Sequence, residues 1–202
     1  MLNRSLRIDK RPNFKKHKPA KYRKKGFKSK KELSKESKAG RLNNMRGNSF
    51  ERDLTKAYNV FFRERGIKGY AYRLKQYKYT GQLIDIVVDS PFEEFYQAVE
   101  CKSMLIPKGK TRINFKAYFS DGQIENEQRF IDLTGRRGIL AIEMRHDQDK
   151  DDPKSPKRGW REAYLVPFEY VWDIYLSGEK ALPIAGIRGF PQIKREKAVY
   201  RL

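Results

Sequence analysis

The positive charge of this chain is concentrated at one end, and that limits how much of it can fold. Residues 1–46 hold 18 Lys plus Arg against three acids (Asp9, Glu32, Glu36), a local charge of +15 out of +21 for all 202 residues. Runs such as Lys15-Lys16-His17-Lys18 and Arg23-Lys24-Lys25 come with almost no aliphatic side chains. Such a segment buries too little apolar surface to offset its chain entropy, so residues 1–45 are expected to be a disordered or extended basic arm. Residues 47–202 carry 28 basic and 22 acidic side chains, a milder +6. A polyanion is the partner this balance implies, nucleic acid before an anionic membrane surface. No run approaches ~20 apolar residues and no apolar signal core follows the basic start, so neither a membrane span nor secretion is expected, and an intracellular location is. One cysteine, Cys101, excludes an intrachain disulfide framework, and two histidines, His17 and His146, leave no His-rich metal motif.

The rest of the chain reads as helix, three strands, helix, two strands, helix. Phe50, Leu54, Ala57, Tyr58, Phe61 and Phe62 recur at helical spacing from Asn48 to about Arg65, and Gly66 closes that helix. Residues 69–74, 83–88 and 94–103 read as strands, and 105–119 as an irregular basic and aromatic connection. Ser120-Asp121-Gly122-Gln123 has the form of a capping box opening a helix to about Leu133. Strands follow at 138–144 and 160–166, a charged loop lies between them, and a short helix spans 168–176. Residues 177–202 read as loop-rich. The expected fold is α/β, a central mixed sheet flanked by helices.

Chemistry is concentrated on two neighbouring strands. Asp85 interrupts the apolar run Leu83-Ile84-Asp85-Ile86-Val87-Val88, where a carboxylate needs a reason. Glu100 and Lys102 lie two residues apart on the next strand and so share a face. An antiparallel pairing sets Asp85 beside Glu100, giving two carboxylates and an ammonium at a sheet edge. Hard carboxylate oxygens suit Mg²⁺, which activates water for phosphodiester cleavage, and the lysine offsets developing negative charge. Glu51, on the first helix, is a further candidate ligand. Each residue also has a plain structural reading. Glu51 closes a capping box with Asn48, Glu100 and Lys102 form a solvated pair, Asp85 caps a turn or pairs with Arg73, and Gln123 is a reciprocal cap. Cys101 faces the other way, as a core thiol.

The order helix Glu, strand Asp, strand Glu-x-Lys resembles the PD-(D/E)xK nuclease signature. Arg46-Gly47-Asn48-Ser49-Phe50-Glu51-Arg52-Asp53-Leu54 is similar to the opening helix of the archaeal-type Holliday junction resolvases, and Ala98-Val99-Glu100-Cys101-Lys102 to their catalytic strand. Arg73 matches their strand arginine, and the likeness spans about 46–170. It implies a restriction-endonuclease-like core over 46–176, followed by a C-terminal extension over 177–202. It further implies a homodimeric, Mg²⁺-dependent endonuclease, with Mn²⁺ substituting, that nicks four-way DNA symmetrically. Glu51, Asp85 and Glu100 would be metal ligands, Lys102 the water-positioning cation, and Arg46 and Arg73 DNA contacts. The family carries a Ser three residues before the Asp. Here that position is Gln82, and Thr80 is the nearest hydroxyl. Gln123-Ile124-Glu125 is similar to a helix run of bacterial RecU-type resolvases, so Gln123 is a further DNA-side candidate. Lys108, Lys110, Arg112 and Lys116 complete the expected nucleic-acid contacts.

Two rivals stand beside the resolvase reading. One is another PD-(D/E)xK nuclease, restriction-like or acting in repair. The other is a non-catalytic basic nucleic-acid-binding protein that uses the sheet only as scaffold.

Overall fold

A first helix, α1, runs over Lys35–Arg65. It seats Phe50, Leu54, Ala57, Tyr58 and Phe62 against a sheet, each buried. The helix closes in a Schellman turn: Gly66 takes φ 64° and the Ile67 amide donates to the Phe62 carbonyl at 2.9 Å. α1 begins well before the expected Asn48, so residues 35–45 are helical rather than part of a disordered arm. Lys, Glu, Ala, Arg and Leu there are good helix formers, and a net-charge argument does not register that propensity. The computed structural model describes residues 35–74, 83–147, 159–196 and 199–202. Residues 1–34 of the arm lie outside them, as do Thr80 and Gln82 and most of the charged 146–159 loop.

The remaining elements follow in order: β1 (Tyr70–Arg73), β2 (Ile86–Asp89), β3 (Gln97–Ile106), β4 (Arg112–Asn114), α2 (Phe115–Tyr118), α3 (Gln123–Thr134), β5 (Arg137–His146), β6 (Arg161–Pro167), α4 (Phe168–Leu176), β7 (Ala181–Pro183), α5 (Ile184–Ile187), β8 (Gln192–Glu196) and β9 (Val199–Arg201). Seven strands form one mixed sheet in the order β1-β2-β3-β5-β6-β8-β9. β3 and β5 are its long parallel centre, and every other neighbouring pair is antiparallel. α3 is the crossover between the two parallel strands, as parallel pairing requires. The expected α/β architecture, a central mixed sheet flanked by helices, is the one present. Among the described residues no helix is long and apolar enough to cross a membrane.

Two apolar layers hold the sheet. On one face, Leu54 and Phe50 of α1 pack with Ile86, Val88, Val99 and Ala141. On the other, Ile124 of α3 and Phe168 and Val171 of α4 pack with Leu140 and Ile142. Gly138 lets the helices sit this close, since a Cβ there would lie 2.3 Å from Ile131 Cδ1 and 2.6 Å from Phe168 Cβ. That contact fixes the position of α3, which carries two polar side chains of the site described below.

Two segments expected to be irregular are ordered. β4, within 105–119, pairs antiparallel with β7 of the tail, Ile113 opposite Leu182. The tail is not loop-rich: β8 joins β6, β9 joins β8, and Tyr200 packs edge-on to Phe50 at 5.4 Å. These short strands are stabilised by partners distant in sequence, so local periodicity carries little trace of them.

Candidate functional site

Ile86 of β2 stands opposite Val99 of β3, and the antiparallel register puts Asp85 across from Glu100 on one face. Directly opposed Cβ atoms lie about 4.5–5.5 Å apart. Asp85 Oδ2 accepts from the Cys101 amide at 2.8 Å, and the Leu74 amide donates to the Asp85 carbonyl at 3.0 Å, so main chain on both sides fixes this residue. Burial, then the charge of Glu100, push the Asp85 carboxyl up to about 8, and Glu51 adds to the rise. Near neutral pH this carboxyl therefore holds a proton that a cation would displace.

Glu100 is buried, and its Oε1 accepts from Lys102 Nζ at 2.7 Å and from Gln123 Nε2 at 2.8 Å. Lys102 lies 4.7 Å above the Phe119 ring. Burial pulls the Lys102 ammonium down, but the charge and hydrogen bond of Glu100 outweigh it, and the net shift is upward. Lys102 therefore stays charged across the working range.

Gln123 opens α3, whose N-cap is Gly122 in the left-handed region rather than Ser120, so the expected capping box is corrected. The Gln123 Oε1 accepts from the Ser120 amide at 3.1 Å in the turn before the helix, while its Nε2 donates to Glu100. Nε2 also donates to Glu127 Oε1 at 2.6 Å. Glu127 is buried, its Oε2 has no hydrogen-bond partner, and burial followed by the charge of Glu100 push it up to about 9. Sequence reading missed Glu127, although a signal existed. Ile124, Glu127 and Ile131 recur at the spacing of the apolar stripe of α3, so an acid there faces the sheet.

Glu51 sits mid-helix, so it closes no capping box with Asn48; that expectation is corrected by the longer α1. Its carboxylate is held by Arg73, whose Nε donates to Oε2 at 2.9 Å and whose guanidinium forms a second, shorter contact. Arg73 Nη2 also donates to Asn48 Oδ1 at 3.1 Å. Arg73 thus joins α1 to β1 and faces Glu51, not Asp85. Cys101 lies in the α1-side core, as its alternation predicts.

The outer basic residues are dispersed. Lys110 Nζ lies 5.1 Å above the Tyr118 ring, and Arg112 is exposed and pairs with Glu179. Lys116 donates its amide to the Asn114 side chain that caps α2, and it lines an open cleft of about 810 Å³ that also includes Phe119 and Ser120. Lys108 and Arg46 are exposed.

Among the described residues, no three His, Cys, Asp or Glu side chains already stand as a metal cage. The donor chemistry nevertheless fits a hard divalent cation. Two opposed carboxylates repel each other in a buried edge, and Mg²⁺ is commonly held by one or two carboxylates plus waters and substrate phosphates. Asp85 and Glu100 would hold it, with Glu51 within Coulombic reach of Asp85 but tied to Arg73.

The chain matches no protein-family model and no curated protein. Among solved structures it is similar to the Hjc Holliday junction resolvase of the archaeal hyperthermophile Archaeoglobus fulgidus, with a TM-score of 0.38 and 18% identity, over 70% of this chain and 98% of that one.

Proposed function

We propose that this chain is a metal-dependent phosphodiester hydrolase acting on branched DNA, a resolvase of four-way junctions that works as a homodimer. The observation that carries the reading is Asp85 facing Glu100 with the Lys102 ammonium bonded to the same carboxylate. Opposed acids beside a buried cation serve no packing need, and they suit attack on a phosphodiester.

Mg²⁺, when bound, supplies Lewis-acid polarisation of the scissile phosphate and a more acidic water. Asp85 and Glu100 would hold it at the sheet edge. Lys102 donates a hydrogen bond to the oxygen of the attacking water and counters the charge that develops on the phosphoryl oxygens. Gln123 donates to the same Glu100 oxygen as Lys102, and Lys102 in turn donates to Gln123 Oε1 at 3.4 Å, so the acceptor is fixed before substrate arrives. Water attacks phosphorus in line, the bond to the 3′ oxygen breaks, and the products are a 5′-phosphate and a 3′-hydroxyl. The attacking water loses its proton to solvent, and the leaving oxygen regains one.

Specificity for a four-way junction and the dimer rest on the motif order of Arg46 to Lys102. A two-fold dimer matches the pseudo-symmetry of that substrate. The test is a labelled synthetic junction beside a linear duplex of the same sequence, with Mg²⁺. Paired symmetric nicks in the junction, with the duplex cut at least about tenfold more slowly, are the expected result. Equal cutting of both leaves a nuclease without junction selectivity. No cutting with Mg²⁺ or Mn²⁺ removes the enzyme and favours the non-catalytic binding protein.

A further inference from the structure

A second buried polar cluster lies on the α1 side of the sheet and takes no part in the chemistry above. Its centre is Glu143 of β5, which is 2% exposed. Tyr200 donates to Glu143 Oε1 at 2.6 Å, Arg161 Nη1 donates to the same atom at 3.1 Å, and Ser103 donates to Oε2. Arg145, two residues along the strand, is 7% exposed. Its Nε stands 4.0 Å from Glu143 Oε2, too far for a hydrogen bond, and that buried Nε has no hydrogen-bond partner at all.

The cluster is unbalanced in charge. Glu143 already accepts from Ser103, Tyr200 and Arg161. Arg46 of α1 lies close enough to repel Arg145, as does Arg161, and exposed Asp147 is a further acid in range. Among the described residues, three guanidiniums thus share one buried carboxylate and one exposed acid. A buried guanidinium nitrogen without an acceptor, beside two arginines that reach solvent, lacks an anion. Arg46 is exposed and the Arg161 side chain is 40% exposed, so an anion has a way in.

We propose that Arg145, Arg161 and Arg46 form a binding site for one phosphate of a nucleic-acid backbone, separate from the scissile phosphate. Ser103 follows Lys102 on β3 and so points to the opposite face of the sheet, the side on which α1 packs. The site would anchor a nucleic-acid strand on the α1 side of the sheet. The inference rests on the nucleic-acid partner of the proposed function and not on cleavage.

The test uses the full chain and a labelled linear duplex without divalent metal, with affinity followed over about 50–200 mM salt. The variant R46Q/R161Q changes two solvent-reaching arginines, and R63Q/R65Q removes the same charge from the far end of α1. The slope of log affinity against log salt is expected to fall by about one in R46Q/R161Q and by less than half of that in R63Q/R65Q. R145Q is expected to lower the slope in the same way. Because it alters a buried residue, its thermal midpoint is read alongside, and the exposed pair decides if it fails to fold. Equal losses in R46Q/R161Q and R63Q/R65Q mean diffuse attraction and overturn the site. An unchanged slope, with inorganic phosphate raising the thermal midpoint of wild type but not of R46Q/R161Q, means a free-phosphate site and overturns the nucleic-acid assignment. A site-specific slope change with no Mg²⁺-dependent cutting leaves this inference standing and removes only the nuclease. Wild type without duplex affinity removes both.

Discussion

Asp85→Asn is expected to abolish Mg²⁺-dependent cutting of a four-way junction, by at least about 10³-fold, and at the same time to stabilise the metal-free protein at pH 8. The two effects have one cause. The Asp85 carboxyl rises from an ordinary 3.8 to about 8 because burial and the facing Glu100 penalise its ionised form. A raised pKa means that the folded state keeps its proton while the unfolded chain gives it up. The stability from that proton is complete below about pH 4 and is lost as pH climbs toward 8. Asparagine keeps an oxygen that can accept from the Cys101 amide but never ionises. The gap between variant and wild type should therefore widen from pH 5 to pH 8. The widening over that range should reach on the order of 4 kcal/mol, or on the order of 10 °C in thermal midpoint for a domain of this size. Thermal melts across that range, with a chelator present, check it. A variant less stable than wild type at pH 8 would show that Asp85 is a structural group whose charge the fold needs.

Lys102→Ala should reduce cutting by about 10²–10³-fold and also destabilise the fold by about 3–5 kcal/mol. Glu100 is buried, and Lys102 is the cation bonded to it. Removing the ammonium leaves that carboxylate with the Gln123 amide and neighbouring Asp85, an uncompensated charge at a dry edge. The two arms of the site then separate in a metal titration. Lys102→Ala retains both facing carboxylates and should still bind Mn²⁺, whereas Asp85→Asn should not. Lys102→Arg should not restore cutting, because the planar guanidinium replaces a compact ammonium packed 4.7 Å above the Phe119 ring. Full activity in Lys102→Ala would place charge stabilisation elsewhere.

The carboxylate pair was legible because strands impose a simple rule. A two-residue period puts Glu100 and Lys102 on one face, and a short link between antiparallel strands puts Asp85 opposite. The apolar stripe of α1 was legible for the same reason at helical spacing. Other features depend on partners that no local pattern names. Arg73 was open to Asp85 or DNA, and only the packing of α1 on β1 gives it to Glu51. β4 depends on β7, and the tail strands depend on β6, in each case across a long stretch of chain. The beginning of α1 was hidden because charge density was read as disorder, whereas helix propensity acts independently of charge. Glu127 was legible in principle, as an acid within an apolar stripe, and was passed over beside Gln123. The arginine cluster around Glu143 was not, since it draws on four separate elements, α1, β3, β5 and β6, together with Tyr200 of β9.

The central claim is that Asp85 and Glu100 together hold a divalent cation. Crystals of the wild-type chain soaked in Mn²⁺, with anomalous differences recorded at the manganese edge, test it most directly. The account predicts one strong peak in contact with both carboxylates and within reach of Lys102 and Gln123, absent from Asp85→Asn. A map with no peak between these two side chains, or with the same peak in wild type and Asp85→Asn, would contradict it.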